Sequence, residues 1–216
     1  MFGFGFDKRF IYILLGAMLL TTLMNYSQAE LMALLLTLPA VIIAITFHEF
    51  AHAFAADRLG DDTPRRQGRL SLNPMDHIDP LGIAMLLFAH IGWGKPVQVD
   101  PRNYNRDISV EKADAIVSFA GPLMNFIIAI VSAIILGAIY MFAPASFLIN
   151  TIGNIIYILL QELVIINIGL GVFNLIPLPP LDGGKIVIYL IEAIRRKPMT
   201  QKRTSLEGQS DGLIRA

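Results

Sequence analysis

Apolar residues in this chain are grouped into long runs that short polar stretches separate. Four runs are long enough to form full membrane-crossing helices: about Phe10–Tyr26, Leu31–Ala56, Ala115–Phe142 and Phe147–Leu175. A helix rises 1.5 Å per residue, so about 20 residues cross roughly 30 Å of hydrocarbon. The pattern predicts an all-α polytopic membrane protein with four full transmembrane helices.

The first run also has the character of a signal peptide, because Lys8 and Arg9 precede it. No A-x-A-like cleavage site follows, and a brief polar turn near Gln28 leads straight into the second run. We therefore expect a retained span that forms a helical hairpin with the next one.

Two shorter apolar pieces complete the predicted core. About 11 residues, Leu81–Ile91, are too few to span as a helix, which favours a re-entrant or interfacial element, with an extended edge strand at Val97–Val99. Residues Ile186–Ile194 predict a short C-terminal helix. We expect residues 1–197 to form one membrane-embedded core, and the polar residues 198–216 to be disordered.

The amino-acid composition limits the kinds of functional site that the chain can form. Hydrophobic residues make up 55% of the 216 residues, charged residues make up 16%, and there is no cysteine. A disulfide scaffold is excluded, and any metal site must use imidazole and carboxylate, ligands that suit zinc. The formal net charge is zero and no basic block is interleaved with aromatic residues, so nucleic acid is not an expected partner.

The distribution of positive charge predicts the topology. The turns near Gln28 and Ala145 carry no Lys or Arg, and all 17 of these residues fall on the opposite side if the four spans alternate. Because Lys and Arg are retained on the cytoplasmic side, this places the N-terminus in the cytoplasm of a multi-pass cell-membrane protein. His48 then lies about 25 Å along the second span, near its cytoplasmic end.

The second span contains the run HEFAH, formed by residues 48–52. On a helix, His48 and His52 share one face and can hold a zinc ion, while Glu49, about 100° round the axis, can act on the attacking water. Ionisable groups inside a span cost about 2.5 to 3.5 kcal/mol each, so they need compensation. The alternative is a hydrogen-bonded cluster between helices.

Catalytic zinc generally has three protein ligands, so a third is expected from elsewhere in the chain. Asp182, in LPPLDGG just after the fourth span, lies at the membrane depth predicted for His48 and His52. Broken backbone at this depth is tolerated where it lines a cavity or is buried in protein. The alternative for Asp182 is an N-cap of the last helix.

Five ordered motifs resemble the site-2 proteases, which are intramembrane zinc metalloproteases, and specifically their short bacterial and archaeal branch without an appended sensor domain. The motifs are HEFAHAFAADRLGDD, GRLSLNPMDHIDPLG, GWGKPVQVDPRNY, AGPLMN and FNLIPLPPLDGG, between Phe47 and Lys185. The resemblance implies zinc held by His48, His52 and Asp182, with Glu49 as the catalytic carboxylate.

The same resemblance implies that Asn125 and Asn174 line the site. Either could donate a hydrogen bond to the developing oxyanion, and the alternative for both is interhelical hydrogen bonding. The GWGKPVQV stretch resembles a membrane-associated β-loop whose edge pairs with an unwound substrate. Its alternative is an ordinary turn with Trp93 as an interfacial anchor.

The expected function is hydrolysis of peptide bonds in or near transmembrane segments of membrane protein substrates, within the lipid bilayer. A metal-ion transporter and a non-catalytic membrane scaffold are the competing interpretations. Glu162 is a functional candidate, or a protonated or paired carboxyl group, because it falls inside the fourth span. The residues around His77 predict a turn held by local hydrogen bonds, and the alternative is a second metal site. His90 is expected at the membrane interface. The oligomeric state stays open.

Overall fold

The computed structural model describes residues 13–195 except 15, 18, 19, 22, 23, 90 and 91. Its helices are α1 (Gln28–Arg58), α2 (Thr63–Arg66), α3 (Pro80–Ala89), α4 (Val110–Phe142), α5 (Ala145–Ile149) and α6 (Thr151–Asn174), with short 3₁₀ helices at Pro74–Asp76 and Pro101–Asn103. Residues 182–195 are also helical and are referred to as α7. The described residues contain no β-strand, so the fold is all-helical as predicted.

Three long helices form the centre of the molecule. Helix α4 packs against both α1 and α6, and α1 also contacts α6. Three helical segments in the described part of the chain are long and apolar enough to cross a membrane: Leu34–Arg58, Val110–Phe142 and Thr151–Asn174. Many large apolar side chains on α4 and α6 stay exposed, including Ile134 and Ile165 at 66% and 65%. Such surfaces are expected to face lipid.

The predicted count of four full spans is not confirmed. Residues 13, 14, 16, 17, 20, 21, 24 and 25 of the first apolar run are helical, but the rest of Phe10–Tyr26 falls partly outside the described residues. The predicted disordered tail, 198–216, lies wholly outside them.

The predicted start of the last long span at Phe147 was wrong. The chain forms the separate helix α5 and then restarts at Thr151, because Asn150 has an extended backbone and its side chain accepts a hydrogen bond from the Ile152 amide at 2.9 Å. Asn is a favoured N-cap for this reason. Length and hydropathy alone do not detect a cap inside an apolar run.

The segment between α1 and α4 folds over the end of the bundle around one buried carboxylate. Asp61 is fully buried and accepts hydrogen bonds from the Thr63 amide at 3.0 Å, the Asp100 amide at 2.7 Å and the Asn103 side chain at 3.0 Å. Burial would raise the pKa of Asp61, but these hydrogen bonds outweigh burial and lower it. The carboxylate therefore ties both ends of the segment together.

The re-entrant element and the edge strand are only partly reproduced. Residues Pro80–Ala89 do form a short helix, which at 10 residues is about 15 Å long and too short to span, but its membrane depth stays a prediction. Val97–Val99 is not paired in a sheet, and the pairing found nearby among the described residues is an isolated antiparallel bridge between Ile78 and Gly94. Pro96 supplies no N–H, which limits a ladder at this point.

The short C-terminal helix is present and already begins at 182, four residues before the predicted Ile186. A Cβ atom on Gly183 would lie 2.3 Å from the Leu175 carbonyl oxygen and 2.5 Å from that of Ile176. Only glycine permits this approach of α7 to the end of α6. The approach returns the chain to the end of the bundle where His48 and His52 lie.

Replacing Asp61 with Ala is predicted to destabilise the protein by about 2–3 kcal/mol, because two backbone amides and the Asn103 side-chain amide lose a charged acceptor. Thermal unfolding of the detergent-solubilised protein measures this loss. Asp62→Ala is the matched control, since Asp62 is exposed and pairs with exposed Arg66. Equal unfolding temperatures for the two variants would contradict the role given to Asp61.

Candidate active site

His48, Glu49 and His52 lie on α1 inside the end of the bundle. The two imidazoles are buried, with exposures of 6% and 9%, and their rings meet edge to face with centroids 4.6 Å apart. The i, i+4 spacing predicted this shared face, and the helix confirms it.

Asp182 joins the two histidines from the start of α7. Its Oδ2 lies 3.3 Å from Nε2 of His48 and 3.3 Å from Nε2 of His52, and the two Nε2 atoms are 3.0 Å apart. Two ligands of a tetrahedral zinc, each about 2.0–2.1 Å from the ion, are about 3.3 Å apart. Within the described residues, this is the group of His, Asp and Glu side chains close enough to share a metal ion.

Hydrogen bonds on the far side of each ring leave Nε2 free for a metal. His48 Nδ1 lies 2.6 Å from the Asn125 side-chain oxygen, and His52 Nδ1 lies 2.7 Å from the Val117 carbonyl oxygen. Both partners only accept, so each Nδ1 carries the proton and each Nε2 presents a lone pair. Asp182 Oδ2 is buried and has no hydrogen-bond partner in the described structure. Three converging lone pairs fit a divalent cation.

The Asp182 side chain faces the two histidines. None of the described hydrogen bonds uses it as an N-cap of α7, which was the alternative role for this residue.

Asn125 lies behind His48 and is fully buried. Its side-chain NH₂ donates to the Ala44 carbonyl at 3.2 Å and to the Asn167 side-chain oxygen at 2.8 Å, and Asn167 in turn donates to the Leu163 carbonyl at 2.8 Å. Both Asn125 hydrogens therefore form hydrogen bonds between helices, as the interhelical alternative expects. Asn167, on α6, was missed because a lone Asn in an apolar run has no motif.

Asn174 has a different environment. It lines a cavity of about 410 Å³ that also includes His48, Glu49, His52 and Asp182. Its side-chain nitrogen donates to the Leu170 carbonyl at 3.0 Å, which uses one of its two hydrogens.

Glu49 faces the same cavity and contacts the loop that follows α3. Its Oε2 accepts a hydrogen bond from the Val97 amide at 2.9 Å. The loop is fixed further back, where the Lys95 amide donates to the His77 carbonyl at 2.7 Å. The GWGKPVQV stretch thus forms a wall of the cavity beside Glu49, and Trp93 donates its indole N–H to Asp79 at 3.1 Å.

The other ionisable candidates are separate from this site. His77 is fully buried and its Nε2 lies 2.7 Å from the Ser71 carbonyl, so it holds the turn and belongs to none of the metal-ligand groups found in the described residues. Glu162 is half-buried on α6 and does not line the cavity, and its role stays a prediction. His90 lies outside the described residues.

Gly121 of α4 allows the histidines to sit against the helix backbone. A Cβ atom there would lie 2.4 Å from His52 Nε2 and 2.7 Å from His48 Cε1. The AGPLMN motif therefore contributes a gap at Gly121 and the hydrogen-bond partner Asn125, one helical turn later.

Comparison with known proteins identifies relatives. The family model described as Peptidase family M50 matches residues 95–208. The chain is 38% identical to YwhC of Bacillus subtilis strain 168, named as a candidate zinc metalloprotease, over 74% of this chain and 71% of that protein. It is 31% identical to Rip2 of Mycolicibacterium smegmatis, which carries the same description, over 69% of this chain and 54% of that protein.

A shorter match covers a protein of Streptococcus pneumoniae strain R6, also named as a candidate zinc metalloprotease. It is 57% identical over 53 residues, which are 24% of this chain and 12% of that protein. No solved structure gives a significant match.

Gly121→Ala is predicted to abolish stoichiometric metal binding, because the added methyl group overlaps the two imidazoles, which their Nδ1 hydrogen bonds hold in place. Zinc content of the purified protein, measured by mass spectrometry, tests this. Gly137→Ala on the same helix is the control, since a Cβ there meets nothing within 4 Å. Full zinc content in Gly121→Ala would show that the close approach is not required.

Proposed function

The chain belongs to peptidase family M50 and is a zinc metalloprotease, and we propose that it hydrolyses peptide bonds in or near transmembrane segments of other membrane proteins. The observation that carries the proposal is the triangle of ligand atoms from His48, His52 and Asp182, which lies beside Glu49 in a cavity at the end of membrane-length helices. We assign zinc to these three ligands.

Each group has a role in the chemistry. Bound zinc supplies Lewis-acid polarisation of the scissile carbonyl and lowers the pKa of water. Glu49 accepts a proton from the attacking water and delivers it to the leaving amine nitrogen as the C–N bond breaks, which yields a carboxylate and an amine. Asn174 lines the cavity and has one amide hydrogen with no partner among the described hydrogen bonds, so we assign it as a donor to the developing oxyanion. Asn125 orients His48.

A substrate must present an extended peptide to reach this site, because a transmembrane helix uses its carbonyls in its own hydrogen bonds. The loop formed by residues 92–99 lies along the cavity beside Glu49 and, apart from the single bridge between Gly94 and Ile78, pairs with no other described segment as a strand. Substrate pairing along this loop would hold an unwound segment next to the zinc ligands.

The location of the site supports access from one side of the membrane. His48 and His52 lie in the last turns of α1, and Asp182 follows the end of α6. All Lys and Arg of the described loop between α1 and α4 lie at this same end, which the positive-inside pattern assigns to the cytoplasm. We infer a multi-pass protein of the cell membrane with its active site near the cytoplasmic face and its N-terminus in the cytoplasm.

Reconstitution in liposomes with a single-span reporter protein tests the proposal. Glu49→Gln is expected to lower the cleavage rate by about 100-fold or more, since it removes the proton carrier, and a zinc chelator should have a comparable effect that added zinc reverses. Mass spectrometry should place the cut inside or within a few residues of the transmembrane segment.

The control for Glu49→Gln is Asp62→Asn, which neutralises an exposed carboxylate away from the cavity. Cleavage that survives both Glu49→Gln and the chelator would overturn the catalytic assignment. Cleavage of soluble peptides with no cleavage of membrane-embedded reporters would overturn the substrate class alone.

A further inference from the structure

Arg69 is the buried arginine of the GRLSLNP motif. Its exposure is 5%, and it forms no ion pair with a carboxylate in the described part of the chain. One nitrogen, Nη1, is buried without a hydrogen-bond partner among described groups. Burying a cation without a counterion costs folding free energy, so the position of Arg69 is expected to serve a purpose other than stability.

The contacts of Arg69 are two backbone carbonyls of the loop beside the catalytic cavity. Its Nη2 donates to the carbonyl oxygens of Lys95 and Pro96, the latter at 2.8 Å. The loop crosses α1 at this point, since a Cβ on Gly94 would lie 2.6 Å from the Ile45 side chain and 3.7 Å from Glu49 Cγ. Arg69 thus fixes the loop next to Glu49.

One peptide group joins the arginine to the glutamate. The Pro96 carbonyl accepts from Arg69, and the N–H of the same peptide unit, on Val97, donates to Glu49 Oε2 at 2.9 Å. The dipole of the Pro96–Val97 peptide therefore lies between a cation at its oxygen end and a carboxylate at its hydrogen end. Each hydrogen bond polarises the next in such a chain, most strongly where water is excluded.

We propose that Arg69 is a positioning residue for Glu49 and acts through the Pro96–Val97 peptide group. The inference rests on the proposed function, because it concerns the proton carrier assigned there. With Oε2 held by Val97, the other carboxylate oxygen is the one that faces the reacting water and the leaving nitrogen. The loop then has two tasks, to line the substrate path and to orient Glu49.

The first test replaces Arg69 with Met, which keeps an unbranched side chain and removes the guanidinium. We expect kcat for the membrane-embedded reporter to fall by about 10- to 100-fold, the usual effect of losing a partner behind a catalytic group, while zinc content stays at one per chain. Arg69→Lys should recover part of the rate, because an ammonium group can still donate to a carbonyl. Arg102→Met is the matched control, since Arg102 is 88% exposed and contacts Asp100.

The second test breaks the link between Arg69 and Glu49, which is the Pro96–Val97 peptide group and is called the relay below. Val97→Pro deletes the amide hydrogen that Glu49 accepts, and Val97→Ala keeps this hydrogen and shortens only the side chain. We expect Val97→Pro to lower kcat by about 10- to 100-fold and Val97→Ala to lower it less. Because both residues act through one peptide group, Arg69→Met combined with Val97→Pro should lose no more kcat than the worse single variant.

The outcomes separate this inference from the proposed function. Full kcat in Arg69→Met, or losses that multiply in the double variant, would overturn the relay while Glu49→Gln stays inactive and the proposed function stands. If Arg69→Met does not accumulate as folded protein, kcat is measured in Arg69→Lys and Val97→Pro instead. Full kcat in both of these variants would overturn the proposed role of Arg69. An active Glu49→Gln variant would overturn the proposed function first.

Discussion

The structure depends on three metal-ligand atoms whose lone pairs converge in a largely buried site at the end of the helix bundle. Nε2 of His48, Nε2 of His52 and Oδ2 of Asp182 lie 3.0–3.3 Å from one another, and the hydrogen bonds at the two Nδ1 atoms prevent the imidazoles from donating to each other. Without a cation, these atoms repel and stay desolvated. With zinc, their separation matches a tetrahedral face. Metal binding is therefore coupled to the packing of α1, α4, α6 and α7.

The remaining features of the bundle serve this convergence. Gly121 lets α4 approach the imidazoles, and Gly183 lets α7 return against the end of α6 and deliver Asp182. Asn125 and Asn167 form a buried hydrogen-bond chain from His48 through α4 to α6. These contacts hold the ligands from behind, whereas the loop beside Glu49 closes the cavity from the front. This arrangement, with hydrogen bonds behind the ligands and a loop in front of them, suits the proposed entry of an unwound peptide.

The sequence predicted the helical class, the shared face of His48 and His52 and the proximity of Asp182 to them. These features follow from the spacing of residues along a helix and from the length of each span, which the sequence contains directly. Asp182 could be found because the end of a span fixes its depth. Asn167 and Arg69 could not be assigned roles, since their partners are a side chain 42 residues away and backbone carbonyls 26 and 27 residues away. The restart at Thr151 was missed because an Asn cap depends on local backbone geometry, which hydropathy does not register.

X-ray absorption spectroscopy at the zinc edge of the purified protein tests the ligand assignment, because it reports the ligand atoms themselves. A zinc ion held by His48, His52 and Asp182 should give one zinc per chain with two imidazole nitrogens and oxygen ligands at about 2.0–2.2 Å, four ligands in all. Removal of the Asp182 carboxylate by Asp182→Ala should change the oxygen shell and leave the imidazole signal. A protein that binds no zinc, or a spectrum with one imidazole or none, would show that these residues do not form the zinc site.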